Sequence, residues 1–296
     1  MGRDVVGDRF ATLTFERRVA APVATLYAAW TSPAARAVWA SPAPAVTVEF
    51  LEADARVGGR EVSLCKVAGQ ADLRVEAGWL DMVPEARTVG YEVVSREGVN
   101  LSAALATAEF VADGESSRIT VTVQLSSLAE DMAEGYRQGF DAGIGNLAAV
   151  AERTTLLQRI IKAPVPVVWG AWMNAESLPK WWGPDGFSCR TSRIDLREGG
   201  EWVFDMIAPD GTIFPNHHKY GAMVPEQRLS YTLHWGENGP KHADAWASFE
   251  DIGGATKVTL GMVMATAKEY QDAKGFGAVE LGLQTLGKLA RAVGAA

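Results

Sequence analysis

The sequence predicts an α+β protein made of two tandem domains. Each domain is expected to be a curved antiparallel sheet around a long C-terminal helix, with two short helices after the first strand. Three observations support this prediction. The chain has 296 residues, which suits two domains of ordinary size. Matching segments recur 142 positions apart. Within each copy the predicted order is strand, two helices, six strands and helix, which is typical of α+β rather than βαβ folds.

The internal repeat is clearest just after the first strand of each copy. There "ERRVAAPVATLYAAWTSPAARAVWASP" aligns with "QRIIKAPVPVVWGAWMNAESLPKWWGP". Trp30 matches Trp172 and Trp39 matches Trp181, so we expect these four rings to pack in the core as part of the repeated framework. Three further pairs keep nearly the same spacing: Gly58-Gly59 with Gly199-Gly200, "MVPEAR" with "MVPEQR", and Gly139-Phe140 with Gly275-Phe276.

Each predicted element follows from a local signal. The first strand of each copy runs into Ala-Pro, and proline suits the first turn of a helix, where its missing N–H costs nothing. Turn signals such as "VGGR", "APDGT" and "GENGPK" separate the six alternating segments. One long helical pattern closes each copy, over residues 130–152 and 267–293. We therefore expect domains at 8–152 and 153–296, each with a concavity between sheet and helix.

Composition and charge narrow the classes of partner and the expected compartment. The net charge is −8, and no run of Lys and Arg stands out, which argues against nucleic acid and anionic membranes as partners. No apolar run approaches the length of a membrane helix, and the N-terminus lacks a signal-peptide core. The two cysteines, Cys65 and Cys189, are far apart and read as buried thiols. We expect a soluble, cytoplasmic protein.

The second copy contains the pattern "APVxxVWxAWxxxxxLxxWWGP … GG … DGT … MVPEQRL … GF". This pattern resembles the C-terminal domain of the activator of Hsp90 ATPase family. That family lies within the Bet v 1/START-like (SRPBCC) superfamily, whose members have a helix-grip fold. The resemblance covers nearly all of residues 155–293. It covers 10–152 more loosely, because Trp182 of the motif is replaced there by Ala40.

The resemblance implies an internal cavity, between helix and sheet, that binds apolar or aromatic small molecules. Some relatives in the superfamily are polyketide cyclases or aromatases, while others only bind or carry ligands. The family's name also implies a chaperone partner. Eukaryotic activators carry a separate N-terminal domain that contributes to Hsp90 activation, and no segment of this chain resembles it.

Strand parity predicts which side chains face the cavity, because successive residues point to opposite faces of a sheet. In "RLSYTLHW" the apolar face carries Tyr231 and Trp235, and in "TIFPNHHKYG" His218 faces inward and His217 outward. In "EWVFDM" the large residues share one face, whereas their counterparts are Glu61, Ser63 and Cys65. Either a bulge changes the parity or the two cavities differ in chemistry. The predicted ligand-binding residues are Trp182, Trp202, Phe204, Asn216, His218, Tyr220, Tyr231, Trp235 and Phe276.

Catalytic and metal-binding motifs are missing from the sequence. All four histidines lie in the second copy, and His234 and His242 flank one turn, but no spacing matches a known zinc motif, so no metal is predicted. No nucleophile elbow, P-loop or dinucleotide motif is present. His218 is a weak candidate for a general acid, because histidine titrates near neutral pH. The alternative is a core histidine that is satisfied by its neighbours.

Three functional hypotheses follow, in this order. The first is non-catalytic binding of a small apolar or aromatic ligand between the sheet and the closing helix. The second is a chaperone-linked interaction protein, and the third is a cyclase-like or aromatase-like enzyme that uses His218, Asn216 and Tyr220. We predict no cofactor. We expect either a monomer, whose two domains mimic a dimer of single-domain relatives, or a weak homodimer. Whether the first domain has a working cavity stays open.

Overall fold

Each half of the chain forms one seven-stranded antiparallel sheet with helices packed against it. The computed structural model describes residues 9–129 and 132–295. The chain divides into two compact units, Met1–Glu152 and Arg153–Ala296, which we call the first and second domains. The predicted α+β class with two tandem domains is confirmed. No helix among the described residues is long and apolar enough to cross a membrane.

The first domain follows the predicted order of elements. Its strands and helices are β1 (Phe10–Val19), α1 (Val23–Thr31), α2 (Pro33–Trp39), β2 (Val46–Ala53), β3 (Arg60–Val67), β4 (Leu73–Val83), β5 (Arg87–Arg96), β6 (Val99–Asp113), β7 (Ser116–Ser127) and α3 (Met132–Ala151). The strand order in the sheet is β1-β7-β6-β5-β4-β3-β2. The first strand therefore pairs with the last, and the chain otherwise moves from each strand to its neighbour.

The second domain repeats this topology. Its elements are β8 (Thr154–Ile161), α4 (Val165–Trp172), α5 (Leu178–Trp181), β9 (Ser188–Ile194), β10 (Glu201–Ile207), β11 (Ile213–Val224), β12 (Arg228–His234), β13 (Lys241–Asp251), β14 (Thr256–Met264), α6 (Ala267–Gly275) and α7 (Ala278–Ala292). The strand order is β8-β14-β13-β12-β11-β10-β9. Position by position, it matches the order in the first sheet.

The repeated tryptophans pack as expected. Trp39 donates its indole N–H to the carbonyl of Ala29 at 2.8 Å, and Trp181 donates to the carbonyl of Ala171 at 3.1 Å. The ring centroids of Trp30 and Trp39 lie 5.7 Å apart, and those of Trp172 and Trp181 lie 5.1 Å apart. The same indole hydrogen bond therefore ties the two short helices together in both copies.

The closing helix of the second domain corrects the sequence prediction. Instead of one helical segment over 267–293, the chain forms α6 and α7, with Phe276 and Gly277 between them. Gly277 has a φ of 80°, a left-handed conformation that glycine adopts readily and that interrupts a helix. Phe276 is 66% exposed at this break, so its predicted position on the cavity wall is wrong.

The register of the closing helices explains why the sequence alignment misplaced Phe276. In the first domain Phe140 stacks on Phe15 of β1, with ring centroids 5.6 Å apart. The counterpart of Phe15 is Leu157, and it lies against Gly282, where an added Cβ would come within 2.2 Å of Leu157 Cδ1. Gly282 therefore occupies the place of Phe140. The matching Gly-Phe dipeptides in the two copies do not occupy equivalent positions.

Candidate functional site

The inner face of the second sheet, the face turned towards the closing helices, carries a cluster of aromatic side chains. Trp202 and Phe204 stack with ring centroids 3.7 Å apart. The imidazole of His218 lies edge-on to both, at 5.4 Å from Trp202 and 5.1 Å from Phe204. Tyr231 follows at 4.8 Å from His218, and Tyr220 lies 6.0 Å from Tyr231. Strand parity had predicted that these five side chains would point the same way.

Trp182 covers this cluster. It directly follows α5, and its ring centroid lies 5.8 Å from that of Trp202 and 5.3 Å from that of His218. Trp182 is only partly buried, and it also contacts Trp172 of the framework at 5.7 Å. The residue that the first domain lacks is therefore the one that closes the aromatic cluster of the second.

The side chains that were predicted to line a cavity in the second domain instead pack against one another. Six of the predicted ligand-binding residues are at most 8% exposed: Trp202, Phe204, Asn216, His218, Tyr220 and Tyr231. Asn216 turns its amide back to its own strand and donates to the carbonyl of Phe214 at 2.8 Å. Because the rings contact one another, a ligand could reach them only if a side chain such as Trp182 moved.

Two buried polar atoms in this cluster have no hydrogen-bond partner within the described part of the chain, His218 Nε2 and the Tyr231 hydroxyl. Burial, with smaller contributions from His242 and His217, lowers the pKa of His218 to about 3. The ring is therefore neutral near pH 7, and a neutral imidazole is a poor proton donor. The structure removes the physical basis for His218 as a general acid.

Trp235 is a second correction. Parity placed it inward with Tyr231, but β12 ends at His234, one residue earlier. Beyond the strand the chain turns, and Trp235 is 47% exposed with its ring stacked on His242 at 4.2 Å. Trp235 therefore does not line the inner face. Among residues 9–129 and 132–295, no group of three or more His, Cys, Asp or Glu side chains is placed to hold a metal ion.

The inner face of the first domain has different chemistry. Strand pairing places Glu61 beside Ala77 and Ala77 beside Glu92, whereas the corresponding row of the second sheet is Trp202, His218 and Leu233. The pairing of β3 with β4 has no register shift. The pairing of β10 with β11 is equally regular, and the register shifts of β2 against β3 and of β9 against β10 occur at matching places in the two domains, so a bulge does not explain the difference: the two inner faces differ in their residues rather than in their parity.

Small side chains leave the inner face of the first domain partly open. Five aromatic side chains of the second domain correspond to residues without a ring: Trp182 to Ala40, Trp202 to Glu61, Phe204 to Ser63, His218 to Ala77 and Tyr231 to Gly90. Ser63, Ala77 and Gly90 are each partly exposed. Phe204 and His218, by contrast, are almost fully buried.

An ion pair lies at one end of this open face. Arg36 of α2 pairs with Glu61 of β3, and their side chains are only 17% and 5% exposed. The Arg36 guanidinium lies over two rings, 5.0 Å from the centre of Phe50 and 5.5 Å from that of Trp79. The counterparts of Arg36 and Glu61 are Leu178 and Trp202, so a charged pair replaces an apolar one.

A second carboxyl group lies two strands away. Glu92 accepts a hydrogen bond from the hydroxyl of Tyr136 on α3, and that hydroxyl is also 3.2 Å from Ser102 Oγ. Burial raises the pKa of Glu92, although the Tyr136 hydrogen bond and the charge of Arg36 oppose this effect. The indole N–H of Trp79 is buried and has no hydrogen-bond partner among the residues described.

Sequence reasoning did not identify Arg36, Glu92 or Tyr136 as candidates. A usable signal was present, because Arg36 aligns with Leu178 and Glu92 with Leu233. A charged residue at an apolar position of a repeat marks a place where one copy has changed its core.

Two surface depressions are present in the described part of the chain, and the lining of the first includes Glu92. One, of about 420 Å³, is lined by Phe10, Tyr91, Leu105 and Gln124 among others. Parity puts these four side chains on the outer face of the first sheet. The other, of about 630 Å³, lies beside α5 and the end of α7 in the second domain. Neither contains a residue that the sequence predicted to bind a ligand.

Comparison with known proteins identifies the repeated unit. A family model described as Activator of Hsp90 ATPase homolog 1-like protein matches residues 20–152 and again 162–294. A search of curated proteins found no match.

Solved structures similar to the chain include a protein from Rhizobium loti, at 30% identity over 47% of this chain and 96% of that one, with a TM-score of 0.43. Another, from Rhizobium leguminosarum, is 29% identical over 49% of this chain and 95% of that one, with a TM-score of 0.44. The di-domain ARO/CYC BexL of the BE-7585A biosynthetic pathway is 17% identical over 96% and 98%, with a TM-score of 0.38. On the family match, the chain belongs to the Activator of Hsp90 ATPase homolog 1-like family and contains its domain twice.

Proposed function

We propose that the protein binds a small apolar or aromatic ligand between the sheet and the closing helix of its first domain. One observation carries this proposal: the inner-face residues Ser63, Ala77 and Gly90 are small and partly exposed, where the same framework in the second domain holds rings. Protein interiors are normally close-packed. An inner face that its own side chains do not fill is therefore a place for another molecule.

The remaining walls of this space suit such a ligand. Phe140 from α3 and Trp79 from β4 supply aromatic surface, and Ala106 of β6, which pairs with Gly90 and is partly exposed, supplies apolar surface beside it. Burying apolar surface contributes about 25 cal/mol per Å². A ligand the size of one or two fused rings would thus gain most of its affinity from contact with these groups.

In the second domain the space between the sheet and the closing helices is closed. Its predicted ligand contacts pack against one another, and Trp182 would have to move before any of them met a ligand. Ligand binding in the second domain stays a prediction with that condition attached. A variant that removes the Trp182 ring tests it directly.

The experiment is a fluorescence titration of the full chain with N-phenyl-1-naphthylamine, a neutral aromatic probe. Ala40→Trp and Ser63→Phe place the residues of the second domain into the first, and each should weaken binding by about tenfold or more, which corresponds to about 1.4 kcal/mol. Leu64→Phe is the matched control, because its side chain lies on the opposite face of β3. Equal binding by Ser63→Phe, Ala40→Trp and the unmodified chain would refute the proposal.

A chaperone-linked interaction is the second candidate, supported by the family match. Three apolar side chains, Phe276, Val279 and Leu283, are exposed along the closing helices of the second domain. Such a row suits contact with another protein. Adding the full chain to a purified Hsp90 homologue should then stimulate ATP hydrolysis, and Phe276→Ser should reduce the effect. No stimulation at saturating protein removes this candidate.

A further inference from the structure

We infer that the ligand of the first domain carries a protonated amine, which Glu92 binds as its charged partner. The inference rests on the proposed function and adds the ligand's chemical class. It starts from the three adjacent strands β3, β4 and β5, which place Glu61, Ala77 and Glu92 in one row on the inner face. Neighbouring strands lie about 4.8 Å apart, so the two carboxyl-bearing residues are separated by about 10 Å, with only a methyl group between them.

The charges around Glu92 do not balance. The groups that face it are Arg36 from α2, Glu61 from β3, Tyr136 from α3 and Ser102 from β6. Among these, the single cation is already paired with Glu61. Among the described residues, Glu92 receives the neutral hydroxyl of Tyr136 as its hydrogen-bond donor, and Arg36 acts on it through its charge at longer range. Two carboxyl groups therefore share one guanidinium.

A carboxylate on an apolar inner face is costly unless a cation or several donors compensate for it. The second domain avoids this cost by placing Leu233 at the same position. In the first domain a ligand ammonium group would supply the missing charge and up to three N–H donors. Its apolar body would lie over Ala77 and Gly90, where the second domain holds His218 and Tyr231.

A second observation points to a polar ligand atom in the same space. Trp79 is 8% exposed, lies on the inner face of β4 and contacts Arg36, yet its indole N–H has no partner within the described residues. The ring of Tyr136 also favours a cation, because an ammonium group is attracted to an aromatic face. The site thus combines an uncompensated carboxyl group, an aromatic wall and an unused N–H donor, and that donor would need an acceptor atom elsewhere on the ligand because an ammonium group has none.

The test compares three probes with one naphthyl body: 1-naphthylmethylamine, 1-naphthylmethanol and 1-naphthoate. Isothermal titration calorimetry of the full chain at pH 7 measures the affinity for each. We expect the amine to bind about tenfold more tightly than the alcohol, because the ammonium and the carboxylate carry opposite charges, whereas the alcohol offers the carboxylate a neutral donor. The carboxylate should bind most weakly.

Two variants assign the preference to Glu92. Glu92→Gln keeps the shape of the side chain and removes the charge, and Glu92→Leu introduces the residue that the second domain uses successfully. Both should remove the amine's advantage over the alcohol, and the alcohol's affinity should change less than the amine's. Glu76→Gln is the control, because Glu76 is on β4 but on its outer face, paired with Arg60 and Arg74.

The outcomes separate this inference from the proposed function. If the alcohol binds, Ser63→Phe blocks it and the amine is no tighter, the amine inference is overturned while the proposed site stands. If the preference for the amine survives in both Glu92→Gln and Glu92→Leu, Glu92 is not the partner. If none of the three probes binds, both the amine inference and the proposed site fail.

Discussion

The two domains share one framework and differ in what lies inside it. In the second domain four aromatic side chains of the inner face, Trp202, Phe204, His218 and Tyr231, and Trp182 above them form one cluster of contacting rings. In the first, the corresponding residues are Ala40, Glu61, Ser63, Ala77 and Gly90. The elements that shape the fold are preserved in both copies, including the indole hydrogen bonds and the paired glycines. The framework therefore does not depend on the aromatic filling, and one copy could lose that filling and keep its topology.

The largest expected effect comes from removing a ring in the filled domain. Phe204→Ala should lower the free energy of unfolding of the second domain by about 3–5 kcal/mol, because it leaves a cavity against Trp202. The matched change Ser63→Ala in the first domain should cost no more than about 0.5 kcal/mol. Differential scanning calorimetry of the full chain measures both variants. Comparable shifts of the two unfolding transitions would contradict the expected difference between the domains.

Breaking the ion pair tests how the first domain compensates for its missing rings. Glu61→Gln leaves the nearly buried Arg36 without its partner and should destabilise the first domain by about 3 kcal/mol. The double variant Arg36→Leu/Glu61→Trp introduces the pair of the second domain and should recover most of this loss. A double-mutant cycle by urea denaturation measures the coupling, and a double variant no more stable than Glu61→Gln would show that the two frameworks are not interchangeable here.

Removing Trp182 should make the second domain resemble the first. Trp182→Ala should cost about 2 kcal/mol, less than a fully buried tryptophan, because the ring is partly exposed. The variant should also bind N-phenyl-1-naphthylamine at a second site, which titration stoichiometry would reveal. An unchanged stoichiometry would show that Trp182 alone does not control access to the aromatic cluster.

Acid should affect the two domains in opposite directions. Burial lowers the pKa of His218 from 6.5 to about 3, so below pH 6.5 the unfolded chain takes up a proton that the folded domain does not. His218 therefore contributes stability that is complete above pH 6.5 and is lost as the pH falls. Between pH 6.5 and pH 5 the loss should be about 2 kcal/mol.

The stability that Glu92 contributes should depend on pH in the opposite direction. Burial raises its pKa, so the folded first domain binds this proton more tightly than the unfolded chain does. Its contribution is present at low pH and is lost as the pH rises above the range of an ordinary glutamate. Calorimetry at pH 7 and pH 5 should show the second domain's transition falling relative to the first, and His218→Ala should reduce that difference. Parallel shifts of both transitions would contradict this assignment.

Much of the fold could be predicted from the sequence because repetition and alternation are local signals. The pairing of Trp30 with Trp172 located the duplication, and parity correctly grouped Trp202, Phe204, His218 and Tyr231. Parity gives the direction of a side chain but not the distance to the next one. It could not show that these rings would meet and fill the space that they were expected to line.

The errors have equally physical causes. Trp235 continues the alternation of its strand, but the backbone turns one residue before it. Phe276 matched Phe140 in sequence, and only the left-handed Gly277 and the packing of Gly282 on Leu157 reveal that the helix is interrupted and shifted. The cluster around Glu92 needed the strand register, since Arg36, Glu61 and Glu92 are far apart along the chain.

The interruption between α6 and α7 has a consequence for the timescale of local opening. No residue of α6 is buried, and a capping box between Thr266 and Glu269 secures its first turn. Helices with few buried contacts open without unfolding the rest of a domain. We expect the amide hydrogens of α6 to exchange with heavy water well before those around Leu286 and Leu289 of α7, and well before those in the last three turns of α3. In the second domain, α6 would then be unfolded for part of the time while α7 stays folded.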